Sequence, residues 1–327
     1  MLESEIGYPI KFTPILKEKI WGGTKLKNVL NKKSLTDSVG ESWELSGVDG
    51  DISIISNGFL VGKSIREIIE EYKGEIVGEK VYKEFGTIFP LLFKFIDAND
   101  DLSIQLHPND ELAAKRHNSF GKTEMWYVVD ADEDARLIVG FNGEYSKEAY
   151  INELEADNLL HILNTVSIKK GDSFFIEVGT IHAIGKGSLV AEIQQTSDIT
   201  YRVFDWNRKD DFGNERALHT DLAIDALDFN KTTNCKVNYS QKMNQRANLV
   251  ECDYFTTNKI VVNSSYNLDL EEIDSFVVYM CVDGRAIVSV DNQSEEINKG
   301  ETLLIPAASK RIEIKSESAE LLEVYIK

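Results

Sequence analysis

Apolar and polar residues alternate with a period of two in several short stretches of this chain. In Leu102-Ser103-Ile104-Gln105-Leu106-His107 the alternation places Leu102, Ile104 and Leu106 on one face of an extended segment and Ser103, Gln105 and His107 on the other. Pro90 to Ile96 is a continuous apolar run broken only by Lys94, and the turn-forming Asp97-Ala98-Asn99-Asp100-Asp101 ends it. Further strands are predicted at 124–129, 173–178, 189–196 and 200–206. The first 58 residues, punctuated by Trp21-Gly22-Gly23, Gly40 and Gly47, predict short strands and turns.

Helical spacing interrupts this pattern. Ser64-Ile65-Arg66-Glu67 has capping-box spacing, and Ile65, Ile68, Ile69 and Tyr72 recur at helical intervals. Helical insertions are predicted at about 59–85, 109–118, 146–164 and 216–228. Residues 230–258, which include Thr232-Thr233-Asn234, are polar and nearly patternless and predict a linker. The chain accordingly divides into an N-terminal domain, 1–230, and a C-terminal β-rich domain, 231–327.

The second domain repeats part of the first. Gly171-Asp172-Ser173-Phe174-Phe175-Ile176 aligns with Gly300-Glu301-Thr302-Leu303-Leu304-Ile305, and His182 then falls on Arg311. Upstream, Trp126-Tyr127-Val128-Val129-Asp130 aligns with Tyr279-Met280-Cys281-Val282-Asp283. Two copies of one strand-turn-strand unit predict a mainly β chain of two small barrels carrying helical insertions.

Composition narrows the partners. With 327 residues, 42% of them hydrophobic, the chain can bury full cores without staples. Lys and Arg total 36 against 55 Asp and Glu, a net charge of −19, which argues against nucleic acid or an anionic membrane as partner. An anionic substrate therefore needs a locally positive site. Cys235, Cys252 and Cys281 form no C-x-x-C pair, so neither a disulfide framework nor a zinc ribbon is expected. Met1-Leu2-Glu3-Ser4-Glu5 lacks the basic start of a signal peptide, and no apolar run approaches ~18 residues. A cytoplasmic address is expected; the oligomeric state is left open.

Of the five histidines, His117, His161 and His219 fall on helical stretches that account for them. His107 and His182 remain. Together with Glu124, at the head of Glu124-Met125-Trp126-Tyr127, and Gln105, they make a mixed nitrogen and oxygen set suited to Zn²⁺, or alternatively Fe²⁺ or Mn²⁺. A solvent-facing strand would show the same alternation, so the spacing alone leaves both readings open. In the repeat, Val277 stands at the place of Glu124 and Arg311 at that of His182, so one metal ion per chain is expected.

Taken together, Gln105-Leu106-His107-Pro108-Asn109-Asp110, Lys122-Thr123-Glu124-Met125-Trp126-Tyr127 and Gly179-Thr180-Ile181-His182-Ala183 resemble the metal-binding motifs of the zinc-dependent type I mannose-6-phosphate isomerases, in their short bacterial form. Trp21-Gly22-Gly23, Gly40-Glu41-Ser42-Trp43-Glu44 and the run from Glu192 through Arg202 to Trp206 extend the likeness. The resemblance implies two cupin-type jelly rolls, only the first holding metal, and a sugar phosphate as substrate. It implies Zn²⁺ on Gln105, His107, Glu124 and His182, with Arg202, Glu192 and Lys122 as catalytic groups. It further implies Lys94, Ser103, Trp21 and Glu41 as substrate-binding groups.

One departure matters: longer members carry a histidine before the lysine of Lys-x-Glu, where this chain has Gly121. A base at that histidine is excluded here, and Glu192, Lys122 or a zinc-bound water is left for the role. Without the resemblance, Lys94 and Lys122 would read as strand-edge cations, and Arg202 as a partner of Asp198 or Asp205. Two other functions are compatible with the same ligands, a non-catalytic sugar-phosphate-binding cupin and an Fe-dependent cupin oxidoreductase.

Overall fold

The computed structural model describes residues 6–210, 212–230, 235–271, 273–291 and 293–327; Met1–Glu5 and Thr232-Thr233-Asn234 lie outside them. Three antiparallel sheets build two barrels. In the N-terminal barrel a six-stranded sheet runs in the order Ile15–Gly23, Val39–Leu45, Leu91–Ala98, Ser188–Gln195, Glu124–Ala131, Ser173–Ile176. Facing it is a five-stranded sheet, Tyr201–Phe204, Ile104–Leu106, His182–Ile184, Arg136–Phe141, Leu163–Ser167. An eight-stranded sheet closes the C-terminal barrel.

Both faces of the central strands Leu91–Ala98, Ser188–Gln195 and Glu124–Ala131 are largely buried, which explains why they read as apolar runs rather than clean alternations. Trp126, Val128, Phe174 and Val190 point between the two sheets of the first barrel, against Leu137, Val139 and Ile184. Phe93, Phe95, Tyr127 and Ile193 point the other way and pack on Val278, Met280, Leu322 and Val324 of the second barrel. The second barrel has its own apolar interior, from Ile260 and Val277 to Ile314 and Leu321.

The helices cover the remaining apolar faces. Ile65–Tyr72 begins with both halves of a capping box, Ser64 Oγ accepting from Glu67 N–H and the Glu67 carboxylate accepting from Ser64 N–H, and buries Ile65, Ile68 and Ile69. Asp110–His117 is capped by Asn109, whose side chain accepts from Leu112 N–H, and ends in Lys115, Arg116 and His117. Lys147–Glu155 and Thr220–Ala226 lie on the outer face of the five-stranded sheet, through Tyr150 and Ala223.

The repeat holds at the level of hydrogen-bond register. Glu124 pairs with Ile176 and Tyr127 with Ser173 in the first barrel; Val277 pairs with Ile305 and Met280 with Thr302 in the second. The turn glycines Gly171 (φ 90°) and Gly300 (φ 87°) occupy the same left-handed conformation, which an L side chain rarely adopts. The equivalence reaches further: Glu192 pairs with Trp126 and Lys94, and Glu323 pairs with Tyr279 and Asn258.

The linker is shorter than expected. Arg246–Glu251 and Thr256–Val262 are strands of the second barrel, not connecting chain. Their polar residues are buried in pairs: Asn258 Nδ2 donates to Glu323 Oε2 at 3.1 Å, and Lys259 Nζ lies 2.9 Å from Glu320 Oε2. Side chains satisfied in this way remove the apolar signal by which a strand is recognised. At the other end of the chain, Ile10–Lys11 pairs with Thr302–Ile305 and so belongs to the sheet of the C-terminal barrel.

The three described cysteines are free, and no helix among the described residues is long and apolar enough to cross a membrane.

Candidate metal centre and active site

Three strands from the two facing sheets of the first barrel converge at one end of its interior. Glu124 begins one strand, His182 begins another, and His107 follows Ile104–Leu106 directly. All three are buried, and their ligand atoms lie within 4.8 Å of one another, the one such grouping among the described residues. His182 is paired in register with Gln105, so the amide stands beside the imidazole. In the second barrel the corresponding positions hold buried Val277 and exposed Arg311.

The backbone sets the histidine tautomers. His107 Nδ1 is 2.8 Å from Ile199 O and His182 Nδ1 is 2.8 Å from Thr180 O. A carbonyl only accepts, so each Nδ1 carries the proton and each Nε2 presents a lone pair inward. Burial, reinforced by Lys122, keeps both imidazoles neutral, with His182 lowered to about 4 and His107 well below its ordinary value. His182 Nε2 and Glu124 Oε1 are buried without a hydrogen-bond partner. Burial and the negative Glu192 push the Glu124 carboxyl up to about 7. Two inward lone pairs and an under-compensated carboxylate, beside an amide oxygen, form a donor set that a divalent cation fits.

Glu192 sits on the central strand between Trp126 and Lys94, and both donate to it: Trp126 Nε1 to Oε2 at 2.9 Å and Lys94 Nζ to Oε1 at 3.0 Å. Lys94 also donates to Gln194 Oε1 at 2.7 Å. Burial pushes the Glu192 carboxyl up, but Lys122, Lys94 and these hydrogen bonds outweigh it and hold the group at about 2. A carboxylate this acidic and this well paired is a weak base. Lys122 Nζ reaches Glu124 Oε2 at 2.8 Å and His107 Nε2 at 3.1 Å; despite its burial, Glu124 and Glu192 raise its pKa, so it stays an ammonium.

Above the three ligands opens a cavity of about 430 Å³. Its walls include Trp21, Glu41, Lys94, Ser103, Lys122 and Arg202, while His107 and Glu124 lie below its floor. Arg202 pairs in register with Gln105; its Nε donates to Ser103 Oγ at 3.3 Å, and Ser103 Oγ donates to Gln105 Oε1 at 3.2 Å. Arg202 Nη1 donates to Ala217 O at 2.9 Å. Among the described residues no carboxylate forms a salt bridge with Arg202, whereas Lys94 and Lys122 are both paired. Glu41 is partly buried yet held below the ordinary carboxylate range, Lys94 and Lys19 outweighing desolvation, and it accepts from Trp43 Nε1 at 2.6 Å. Trp21 lies over Gly40, where a Cβ would stand 2.5 Å from the indole.

All eleven residues singled out from the sequence therefore meet in one place. Lys17, Lys19 and Trp43 also line the cavity and were not singled out. Their signal was available, since Lys17 and Lys19 share a strand face with Trp21, and Trp43 shares one with Glu41. Arg216 enters from an irregular loop, held by Asp205, and has no periodic signal. Of the other histidines, His117 Nε2 lies 2.8 Å from the Tyr201 hydroxyl, and His219 Nδ1 accepts from Arg202 N–H at 3.1 Å.

A bicupin with a buried two-histidine, one-carboxylate cluster in one barrel, below a cavity rich in cations, is the class that fold and site define. Residues 10–137 match the family model of the phosphomannose isomerase type I catalytic domain, and residues 245–326 that of the mannose-6-phosphate isomerase cupin domain. A mannose-6-phosphate isomerase of Streptococcus mutans is 34% identical over 303 residues, covering 92% of this chain and 93% of the relative. The ManA mannose-6-phosphate isomerase of Bacillus subtilis is 34% identical over 304 residues, covering 91% and 93%. The crystal structure of a Bacillus subtilis mannose 6-phosphate isomerase superimposes with a TM-score of 0.88 at 31% identity, over 98% of this chain and all of that one. The chain belongs to the type I mannose-6-phosphate isomerase family.

Proposed function

We propose that this protein interconverts mannose 6-phosphate and fructose 6-phosphate, with one Zn²⁺ held by Gln105, His107, Glu124 and His182. One observation carries the reading: the buried His107, Glu124 and His182 cluster lies directly below a cavity whose walls hold Lys94, Lys122 and Arg202. The donor set of two imidazoles, one carboxylate and one amide oxygen favours zinc, and Gln105 as a fourth ligand distinguishes it from an open iron site.

Aldose–ketose isomerisation moves a proton between C2 and C1 of the open-chain sugar through an enediol, and negative charge develops on O1 and O2. A bound divalent ion supplies Lewis-acid polarisation of these oxygens. Lys122, kept charged by Glu124 and Glu192, donates a hydrogen bond to the oxygen that gains charge. Arg202, which has no salt bridge among the described residues and is steadied by Ser103 and Ala217, turns its remaining guanidinium edge to the anionic sugar. Glu192 holds Lys94 and Lys122 in place, and a water at the metal end of the cavity would take the proton from C2 and return it to C1. Trp21 and Glu41 close the wall opposite. This local excess of positive charge lets an acidic molecule accept a dianionic phosphate. Three free cysteines fit a reducing cytoplasm.

The test is incubation of purified protein with mannose 6-phosphate, measuring fructose 6-phosphate after chelation and after add-back of zinc, cobalt, manganese or iron. Activity that is lost on chelation and best restored by zinc is expected. Absence of product at every metal loading would refute the isomerase reading, and a site that binds the sugar phosphate without turnover would establish a binding cupin instead.

A further inference from the structure

Asp110 is the first residue of the helix Asp110–His117 and stands outside the cavity, three positions beyond His107. Its carboxylate accepts three hydrogen bonds from distant parts of the chain. Oδ1 receives Gly121 N–H at 2.8 Å and Gln195 Nε2 at 3.0 Å, and Oδ2 receives the Tyr254 hydroxyl at 2.6 Å. Gln195 continues the connection: its Oε1 accepts Thr123 N–H at 2.8 Å, and its own N–H donates to Thr123 O at 3.2 Å.

These contacts tie together the segments that carry the proposed metal and charge groups. His107 precedes Asp110 by three residues, Lys122 and Glu124 flank Thr123, and Glu192 precedes Gln195 on the same strand. The remaining arm comes from the other barrel, because Tyr254 lies in the turn between Arg246–Glu251 and Thr256–Val262. The fit around Gly121 is tight: a Cβ there would stand 2.7 Å from Asp110 N and 2.9 Å from Asn109 C. The position that carries a histidine in longer relatives is thus closed by the Asp110 helix start.

We propose that Asp110 is a positioning residue for the isomerisation, and that the C-terminal barrel acts on the metal end of the site through the Tyr254 hydroxyl. Ligand strands must be held to a fraction of an ångström, and a carboxylate shared by four chain segments does this without touching substrate or ion. The C-terminal barrel, which lacks the ligands, thereby has a part in the chemistry of the first.

The kinetic arm of the test builds on the isomerase reading; the exchange arm does not. Tyr254→Phe removes one hydroxyl, Asp110→Asn removes the acceptor for Tyr254, and Tyr239→Phe serves as control. The Tyr239 hydroxyl donates to Gly171 O at 2.6 Å, with no link to Asp110. Each full-length variant is assayed zinc-loaded for kcat and KM, and metal-free for amide hydrogen exchange at residues 121–124. Tyr254→Phe is expected to lower kcat roughly two- to tenfold, the rate equivalent of one hydrogen bond, with KM unchanged. It should also speed exchange at 121–124 selectively. Asp110→Asn should do more of both, and Tyr239→Phe neither. Wild-type kcat and exchange in Tyr254→Phe overturn the proposal. So does an equal loss in Tyr239→Phe, which would mark general loosening of the two barrels. An inactive wild-type enzyme sinks the isomerase reading, while the exchange measurement still decides whether Asp110 holds the site.

Discussion

Lys94→Met tests the electrostatics of the buried site most directly. The ammonium lies 3.0 Å from Glu192 Oε1 and 2.7 Å from Gln194 Oε1, 5.0 Å from the centre of the Trp43 ring, with 5% of its surface exposed. Burial raises the Glu192 carboxyl, and Lys122 and Lys94 more than reverse this, from 4.5 to about 2. At 1.36 kcal/mol per unit, the depression corresponds to about 3 kcal/mol of stability at neutral pH. A depressed carboxyl contributes fully above its unfolded value and loses its contribution as pH falls from about 4.5 towards about 2. Without Lys94 only Lys122 and Trp126 oppose burial, so the folded value rises and the carboxylate loses stabilisation increasingly as pH climbs through that new value. Because Lys122 supplies the larger share of the depression, Lys94→Met should cost part of it, about 1–3 kcal/mol near pH 7, and less near pH 5. Calorimetric unfolding at the two pH values reads this difference, and adding Glu192→Gln to Lys94→Met should recover much of the loss. A penalty equal at both pH values, or one that the second substitution leaves untouched, would refute the reasoning.

Other outcomes follow from the same geometry. On the proposed role of Arg202 in charge stabilisation, Arg202→Ala should lower kcat by roughly 10²–10³ while metal analysis shows undiminished bound metal. His182→Ala should lose metal after dialysis, whereas Arg311→Ala, at the equivalent place in the second barrel, should retain it. Gly121→Ala drives a methyl into the backbone of Asn109 and Asp110 and should cost ~1–3 kcal/mol in denaturant titration. Arg246→Met leaves the fully buried Glu323, whose Oε2 lies 2.5 Å from Arg246 Nε, with the neutral donors Asn258 and Tyr279; it should lower the unfolding temperature and leave kcat unchanged.

Much of this architecture was legible because local and global signals agree. The alternation around Gln105 and His107 follows the pleat of a real strand, and the capping box at Ser64 closes on both sides. The alignment of Gly171 with Gly300 is the pairing register itself, carried by turn glycines that need positive φ. Signal failed where a strand's burial is polar. Asn258 and Lys259 lie in a buried strand, but each is matched by a carboxylate from a strand more than 60 residues away, which no local window contains. Tyr254 and Arg216 reach their partners from turns and irregular loops, where position depends on the fold around them rather than on periodicity. Lys17 and Lys19 were within reach, since extending the period of two back from Trp21 finds both. The acidity of Glu192 had no trace in the sequence, because it comes from Lys94 on one flanking strand and Lys122 just before the other.

The short strand Ile10–Lys11 has a consequence for how the molecule is made. Its partners, Leu303 and Leu304, leave the ribosome about 290 residues later. At ordinary rates of translation, roughly 5–20 residues per second, the strand waits some 15–60 s before it can pair. One side of this segment is bonded to Ser56 and Asn57, but the side that will face Leu304 stays bare edge while the first barrel emerges, a template for any other extended chain nearby. The second barrel is thus completed by a segment made about 290 residues before its partners, and a ribosome that stalls between the two leaves the sheet of that barrel open.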